Sequence, residues 1–424
     1  MTPASASNTP PLAAPGRRWQ WLQRTATVAL FCLTALVITV PANLLPFGLL
    51  LLGSSVVGID YLWRARQRAR PVSWVLGLLL LALLLSAAAS IWQFEDQLRD
   101  VENRSRFIVM PWLAVWVCAL RPSLRALWWG AVVGLGAVLM LSLGQVTGGA
   151  ERASGSTNAI VLADMAMMLM VVAVFCRPAL AARWVVLSVL AGGAIIVLSG
   201  SRGVWLPLAL MWVVMALVMR WGSWRTRWLT LFGVAAVSAV AVLAVPALRE
   251  QLRLDELQQD VQRLERGDVN SSAGARIERW QVAWHTLQQR PWQGVGIGRF
   301  DDAMAQLPAC RVADTAPERC FLGHAHNDVA EWAATQGVPG LLLLLAVYGV
   351  PLAMFIVLFR RSGRDQFRGP AATGVMLVVA YVLCGLTQSM FAHQITAGFY
   401  ACMVGVLAAF ALGEVQRRGG STSG

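Results

Sequence analysis

The sequence predicts an all-α integral membrane protein of about twelve transmembrane helices carrying one long helical loop on its outer side. Three observations predict it. Hydrophobic residues make up 57% of the 424-residue chain and charged residues only 13%, against roughly 45–50% and roughly 25% in an ordinary soluble domain. Apolar runs near 18 residues recur along the whole length, each long enough to cross a hydrocarbon core of about 30 Å at about 1.5 Å per residue. The 35 basic residues, all arginine, outnumber the 22 acidic ones and collect in every second loop.

Twelve runs are expected as spans: Thr25–Val40, Leu44–Trp63, Val72–Trp92, Phe107–Leu120, Leu127–Val146, Asn158–Phe175, Trp184–Ser199, Gly203–Trp221, Trp228–Leu248, Gly337–Phe359, Ala371–Ser389 and Thr396–Leu412. The division that follows is a tail over 1–24, helices one to nine over 25–248, a loop domain over 249–336, helices ten to twelve over 337–412 and a tail over 413–424. The tail's Met1–Gly16 is rich in Pro, Ala, Ser and Thr and reads as disordered. The run after it has no small-residue cleavage site before the second span, so it is kept as a helix and not a signal sequence.

Orientation follows from arginine, because short loops rich in it stay in the cytoplasm. One set of loops and both tails hold 20 arginines, among them Arg17, Arg64, Arg121, Arg177, Arg225, Arg360 and Arg417, with Asp365 and Glu414 as the acids placed beside them. That side is expected to be cytoplasmic, with both termini on it. Charge spread among membrane loops and not gathered on one face also speaks against a nucleic-acid partner.

The outer side is therefore where chemistry is expected, and its one long loop spans residues 249 to 336. Its first stretch puts Leu248, Leu252, Leu257, Val261 and Leu264 near helical spacing and is read as an amphipathic helix with a packing role. A second helix is expected after the caps Ser271 and Ser272, running until Pro291. On it Arg276 and Arg279 are neighbours, taken by themselves as a solvated basic edge. The run GVGIGRF from Gly294 lacks the preceding strand of a dinucleotide site, so its glycines are read as permitting a tight turn or a close approach to the membrane surface or a ligand. Cys310 and Cys320 bracket a polar stretch in an oxidising compartment, where a disulfide or two free thiols are the alternatives. Five other cysteines lie in predicted spans and read as small apolar residues.

Polar side chains then crowd the mouth of the tenth span: His324, His326, Asn327, Asp328, Glu331 and Gln336. His-Ala-His lacks zinc spacing, so no metal is expected. Arg202, in SGSRG between the seventh and eighth spans, enters apolar surroundings where an unpaired arginine costs about 2.5–3.5 kcal/mol. It needs an anionic partner, and Asp164 in the sixth span is the deep acid on that side, so a structural Arg202–Asp164 pair is one reading.

These residues together resemble the bacterial O-antigen ligase and polymerase group of polytopic membrane glycosyltransferases. The likeness rests on the arginine after Ser201 at a span boundary, on the arginine of ARIERW followed by the GVGIGRF turn, and on His326-Asn327 separated from Gly337 by nine residues. What the resemblance implies is a GT-C-like membrane enzyme of the bacterial inner membrane in lipopolysaccharide biosynthesis. It would transfer a glycan from undecaprenyl diphosphate to a terminal sugar of lipid A-core on the periplasmic face, without a nucleotide sugar or other cofactor. Arg202 and Arg276 would grip the diphosphate bidentately, each charge pair being worth on the order of 4 kcal/mol at about 4 Å before desolvation. His326 would be the general base for the acceptor hydroxyl, with inversion at the anomeric carbon. Arg279, Asn327 and Asp164 are expected to help bind substrate. An O-antigen polymerase and a protein O-oligosaccharyltransferase share the donor chemistry and stay open, and a transporter of lipid-linked glycan is the non-enzymatic alternative.

Overall fold

The structure, a computed structural model, describes residues 16–95, 98–218, 223–229, 232–233, 250–251, 254–266, 271–311, 317–364 and 366–421. Among them every regular element is a helix. In chain order these are α1 (Arg17–Ala35), α2 (Leu45–Val57), α3 (Ile59–Phe94), α4 (Leu98–Ser105), α5 (Val109–Leu120), α6 (Leu124–Thr147), α7 (Ala159–Phe175), α8 (Ala182–Ser199) and α9 (Trp205–Val218). After them come α10 (Leu254–Glu265), α11 (Ser272–Gln289), α12 (Phe300–Met304), α13 (Asp328–Ser362), α14 (Pro370–Gly385) and α15 (Gln394–Ser421).

Five of these helices, α3, α6, α8, α13 and α15, are long and apolar enough to cross a membrane, and shorter apolar helices include α2, α7 and α14. This is a multi-pass membrane protein. The α3 helix shows why its surroundings are not water. Its buried stripe of Leu62, Ala65, Ala69, Val72, Leu76, Leu79, Leu83 and Ala87 recurs at three- and four-residue steps, yet Leu78, Leu81 and Leu85 on the opposite face are more than half exposed. A helix apolar on every side is buried in protein or in lipid, and here one face has each. By contrast α7 is covered all round from Val161 to Phe175 and forms the centre of the bundle. Small residues bring neighbours close: a methyl group on Gly130 of α6 would lie 2.4 Å from the Phe31 carbonyl of α1, so only glycine permits that approach.

Several boundaries differ from the sequence reading. The arginine-rich stretch 64–70 is not a loop. The break falls at Gly58, and α3 then runs unbroken through Arg64, Arg66, Arg68, Arg70 and Pro71, because Arg, Gln and Ala are good helix formers whose charge does not interrupt backbone pairing. Residues 17–24, expected as the end of a tail, already belong to α1, while Leu36 to Val40 leave the helix in turns. Most of the ninth expected span, Trp228–Leu248, and most of the N-terminal tail lie outside the described residues.

The two ends of the bundle have different chemistry. At one end Arg18 pairs with Asp60 at 2.7 Å, Arg364 pairs with Glu414, and Gln416 donates to the Arg68 carbonyl. Asp60 therefore joins the arginine end as an acid that hydropathy had assigned to the second span. The other end holds α4, α10, α11 and α12 with the polar segments that precede α13 and follow α14.

A backbone clasp at this second end shapes α13. Gly337 has φ 64° and ψ −151° inside the helix, a region that essentially only glycine enters. The break frees the Ala334 and Thr335 carbonyls. Thr335 has lost its helical donor in any case, since residue 339 is proline and carries no N–H. The GVGIGRF turn supplies the missing donors: Val295 N–H bonds to Ala334 O at 3.0 Å and Gly296 N–H to Thr335 O at 2.9 Å. In exchange Val338 N–H bonds to Pro291 O at 2.6 Å. The close approach these glycines make is thus to the broken helix, and neither lipid nor a ligand is needed to explain them.

Candidate functional site

The segment entering α13 carries the titratable cluster. Asn327 is its N-cap: its Oδ1 accepts from Ala330 N–H at 2.9 Å, and its Nδ2 donates to Leu386 O at 2.9 Å. Both ends of this side chain are engaged by backbone, so Asn327 works as a strap between α13 and the end of α14, with a second N–H on Nδ2 and a second lone pair on Oδ1 still available. His326, just before the cap, takes the left-handed conformation with φ 53°, costly for a residue with a Cβ. It is held there from several sides. Glu331 Oε2 accepts from Ala325 N–H at 2.6 Å and from Ser389 Oγ at 3.4 Å, and Ser389 Oγ in turn accepts from Asn327 N–H at 3.2 Å. Asp328 accepts from Tyr348 OH at 2.6 Å and from Phe391 N–H at 3.4 Å. The two acids point into the protein and fix the loop; neither is presented as a nucleophile.

Arg104 of α4 completes this platform. Its guanidinium lies 3.5 Å over the Trp332 ring and is 6% exposed, within electrostatic reach of Asp328 and Glu331. Burial lowers its pKa to about 9, while the two carboxylates oppose that shift, so it is a cation at neutral pH balancing the buried acids.

His326 Nδ1 lies 2.7 Å from Gln388 Oε1. The rings of His326 and His324 meet edge to face at 4.4 Å between centroids, and those of His324 and His393 at 4.9 Å. Burial is the main force lowering the His326 pKa to about 4; Arg276, Arg279 and His393 lower it further, and the Gln388 hydrogen bond opposes them. Burial, His326, His393 and Arg279 take His324 down to about 3, and burial lowers His393. All three are neutral at physiological pH. Among the described residues no group of three or more His, Cys, Asp or Glu side chains is arranged to hold a metal.

The helix α11, capped by Ser271 whose Oγ accepts from Gly274 N–H at 3.0 Å, brings the arginines. Arg279 is no solvated edge. It is 2% exposed, donates to Ala275 O at 3.2 Å and faces Asp301 and His324. Arg276, one turn earlier, lies against the SGSRG turn, where a methyl on Gly203 would sit 3.4 Å from its Nη1 and 3.7 Å from Thr387 Cβ. Thr387 precedes Gln388, and Arg276 acts electrostatically on His326 and is acted on by Asp164 and Arg202. Arg202, Arg276 and His326 therefore converge at one end of the bundle. Burial lowers the Arg276 pKa from its ordinary value, and its guanidinium makes no hydrogen bond or ion pair among the described residues.

Arg202 pairs otherwise than with Asp164. Its Nη2 is 3.1 Å from Asp260 and 3.8 Å from Glu256, both on α10, so the amphipathic helix contributes charge to the site beyond packing. Its turn is tied down by Arg152, which donates to Ser199 O at 2.8 Å and to Ser201 Oγ at 3.2 Å. Asp164, fully buried in α7 beside the Cys384 thiol, has no geometric hydrogen bond to either carboxylate oxygen among the described residues and lies within electrostatic reach of Arg276. Behind α11, a disulfide joins Cys310 and Cys320 with Cα atoms 5.7 Å apart, and Gly323 N–H bonds to Asp301 Oδ1 at 2.8 Å, leading the chain into His324.

Residues that sequence reasoning passed over are Arg104, Thr387, Gln388, Ser389 and His393. A signal was there: the polar letters of TQSMFAHQ interrupt two apolar runs at the depth where Asn327 enters the tenth span.

Comparison with known proteins agrees with this end of the molecule. A curated Haemophilus influenzae protein, described as an uncharacterized protein, is 23% identical over 205 residues, covering 48% of this chain and 50% of that protein. The chain thus spans about half the length of this relative. Residues 187–345, which include the SGSRG turn, α10, α11, the clasp and the His326 loop, match the family model described as O-antigen ligase.

Proposed function

We propose that this protein transfers a glycan from undecaprenyl diphosphate to a sugar hydroxyl of lipid A-core, at the periplasmic face of the bacterial inner membrane. The observation that carries the reading is Arg276: a cation largely withdrawn from water, beside a second arginine and a neutral histidine, with no acceptor of its own among the described residues. A largely buried guanidinium with no hydrogen-bond acceptor is costly, since Asp164 reaches it only electrostatically, and a diphosphate offers oxygens matched to its fork of donors. Arg202, held by Asp260 at 3.1 Å, would reach the same diphosphate by sharing its donors between the aspartate and the ligand.

In the proposed reaction the acceptor hydroxyl oxygen attacks the anomeric carbon of the donor as the bond from that carbon to the diphosphate oxygen breaks. The hydroxyl proton passes to His326, and the diphosphate leaves with its new charge against Arg276 and Arg202. Attack opposite the leaving group inverts the anomeric carbon. An imidazole whose pKa is about 4 is fully in its accepting form at neutral pH, though a weaker base than one titrating near 7; such a base contributes about 10²–10⁴-fold. The Arg276 and Arg202 charges at the leaving group supply the rest by stabilising charge that develops in the transition state. Asp164, which acts electrostatically on Arg276, would help keep that guanidinium at the site from within the bundle.

The test is transfer between purified lipid-linked glycan and either lipid A-core or a second copy of the lipid-linked glycan. Product on lipid A-core supports a ligase. Product only on the lipid-linked glycan makes the protein a polymerase, and vectorial movement without product makes it a transporter.

A further inference from the structure

We infer that Gln388 sets the tautomer of His326, holding the proton on Nδ1 so that Nε2 is the nitrogen available to accept one. The inference rests on the base proposed above and adds which atom of it acts.

The geometry leaves little freedom. Ser389 N–H, which can only donate, lies 3.1 Å from Gln388 Oε1. That contact fixes the oxygen, not the nitrogen, of the amide on this side, and Gln388 is itself 2% exposed. The same Oε1 is 2.7 Å from His326 Nδ1. Two atoms bearing only lone pairs would repel at that distance, so Nδ1 carries hydrogen and the second lone pair of Oε1 receives it. In a neutral imidazole Nε2 is then bare, and it makes no hydrogen bond among the described residues. Three further observations show that the pair is held in place. His326 is kept in its left-handed backbone conformation, Asn327 N–H is anchored on Ser389, and Ala325 N–H on Glu331. Gln388 and Ser389 thus hold the ring and the adjoining backbone from one short segment after α14.

The charged and titratable groups facing His326 are Arg276 and Arg279 from α11, His324 on its own loop, His393 after α14, and Glu331 and Asp328 from α13. Gln388 is uncharged, so it orients the ring without adding a carboxylate beside the diphosphate cations. It is a positioning residue.

The direct experiment is nitrogen NMR of the full chain labelled with [15N]histidine, with the His326 signals assigned by their loss in His326→Ala. The expected result at neutral pH is a proton on Nδ1 and a bare Nε2; a proton on Nε2 overturns the inference. Two variants read the consequence. Gln388→Leu removes the acceptor and is expected to lower kcat at least about tenfold with KM little changed, since a ring protonated on Nε2 cannot act as the base. Gln388→Glu keeps the hydrogen bond and adds a negative charge, so activity returns with its acid limb moved to higher pH; an unmoved limb counts against the contact. Should Gln388→Leu fail to fold, the spectrum of the unaltered protein and the Gln388→Glu profile still decide. If His326→Ala stays fully active, the base reading fails, whatever the tautomer proves to be.

Discussion

Replacing Gly337 by alanine tests whether the clasp between the GVGIGRF turn and α13 carries the site. The native φ and ψ at this position belong to a region costing about 1–3 kcal/mol for a residue with a side chain. The added methyl would also lie 2.2 Å from the Pro291 carbonyl oxygen, which is backbone and cannot rotate aside. Relief requires Pro291 to move, which breaks the Val338 N–H bond to it, worth about 0.5–1.5 kcal/mol net. The sum is a loss of about 2–4 kcal/mol. Gly349 is the internal control, because it lies in the same helix with nothing within 4 Å of an added methyl; alanine there should be neutral or stabilising by about 0.5–1 kcal/mol. The assay is the apparent unfolding temperature of both variants in one detergent at one scan rate, paired with glycan transfer below the transition. Gly337→Ala should melt well below the parent and lose transfer even where folded, because the 328–336 segment that aims His326 pivots at this residue. Equal melting of the two variants would refute the reasoning.

Other outcomes follow from the site. Turnover should hold from neutral pH down past 6 and fall only near the His326 value of about 4; an acid limb near 6.5 that disappears with His326 would mean the ring is not buried as described. The same depression has a sign for stability. Between about 6.5 and about 4 the unfolded chain binds protons that folded His326 and His324 refuse, so these two groups should lower stability progressively as pH falls through that window, and a chemical-denaturation series over it should show a decline that His324→Gln reduces. Arg276→Lys keeps the charge and loses the fork, so kcat/KM should fall about 10–150-fold, the worth of one charge-assisted hydrogen bond of about 1.5–3 kcal/mol; full activity would remove Arg276 from the diphosphate. Reduction of the Cys310–Cys320 bond frees the segment leading to Gly323 and His324, and should lower both the unfolding temperature and transfer, with no effect of the reductant on a Cys310→Ser/Cys320→Ser variant.

Much of the bundle was legible because a membrane helix declares itself by the length of its apolar run, as in α6, α7 and α8, whose bounds differ from the expected spans by a few residues. The reading failed where hydropathy and helicity part company. Arg64 to Arg70 end a hydrophobic run without ending a helix, and Asp60 lies in apolar sequence while pairing with Arg18 outside it. At the site, Arg202 and His326 stood out because each is an ionisable group at the edge of apolar surroundings, whereas Arg276, by itself a solvated basic edge like Arg279, was singled out only by the family resemblance of its segment. Their partners did not. Asp260 reaches Arg202 across 58 positions and Gln388 reaches His326 across 62, and such pairings depend on how α10 and α14 pack, which no local spacing records. Arg279 was misread for the same reason: its position beside Arg276 says only that the two are neighbours, while the cover that buries it comes from elsewhere in the fold. The clasp had a local trace, in that Pro339 deprives Thr335 of its donor, but the donor that replaces it lies in a turn about forty residues earlier.

The central claim is that His326, Arg276 and Arg202 form one metal-independent transfer site, and the most direct measurement is product formation in reconstituted vesicles. Purified protein, undecaprenyl-diphosphate-linked glycan and lipid A-core are combined with a chelator and no nucleotide. The account predicts glycosylated lipid A-core with inverted anomeric configuration from the parent, and a fall of about 10²–10⁴-fold in His326→Ala, with a comparable or larger fall in Arg276→Ala. Undiminished product in either variant, or product that appears only when a divalent metal is returned, would contradict it.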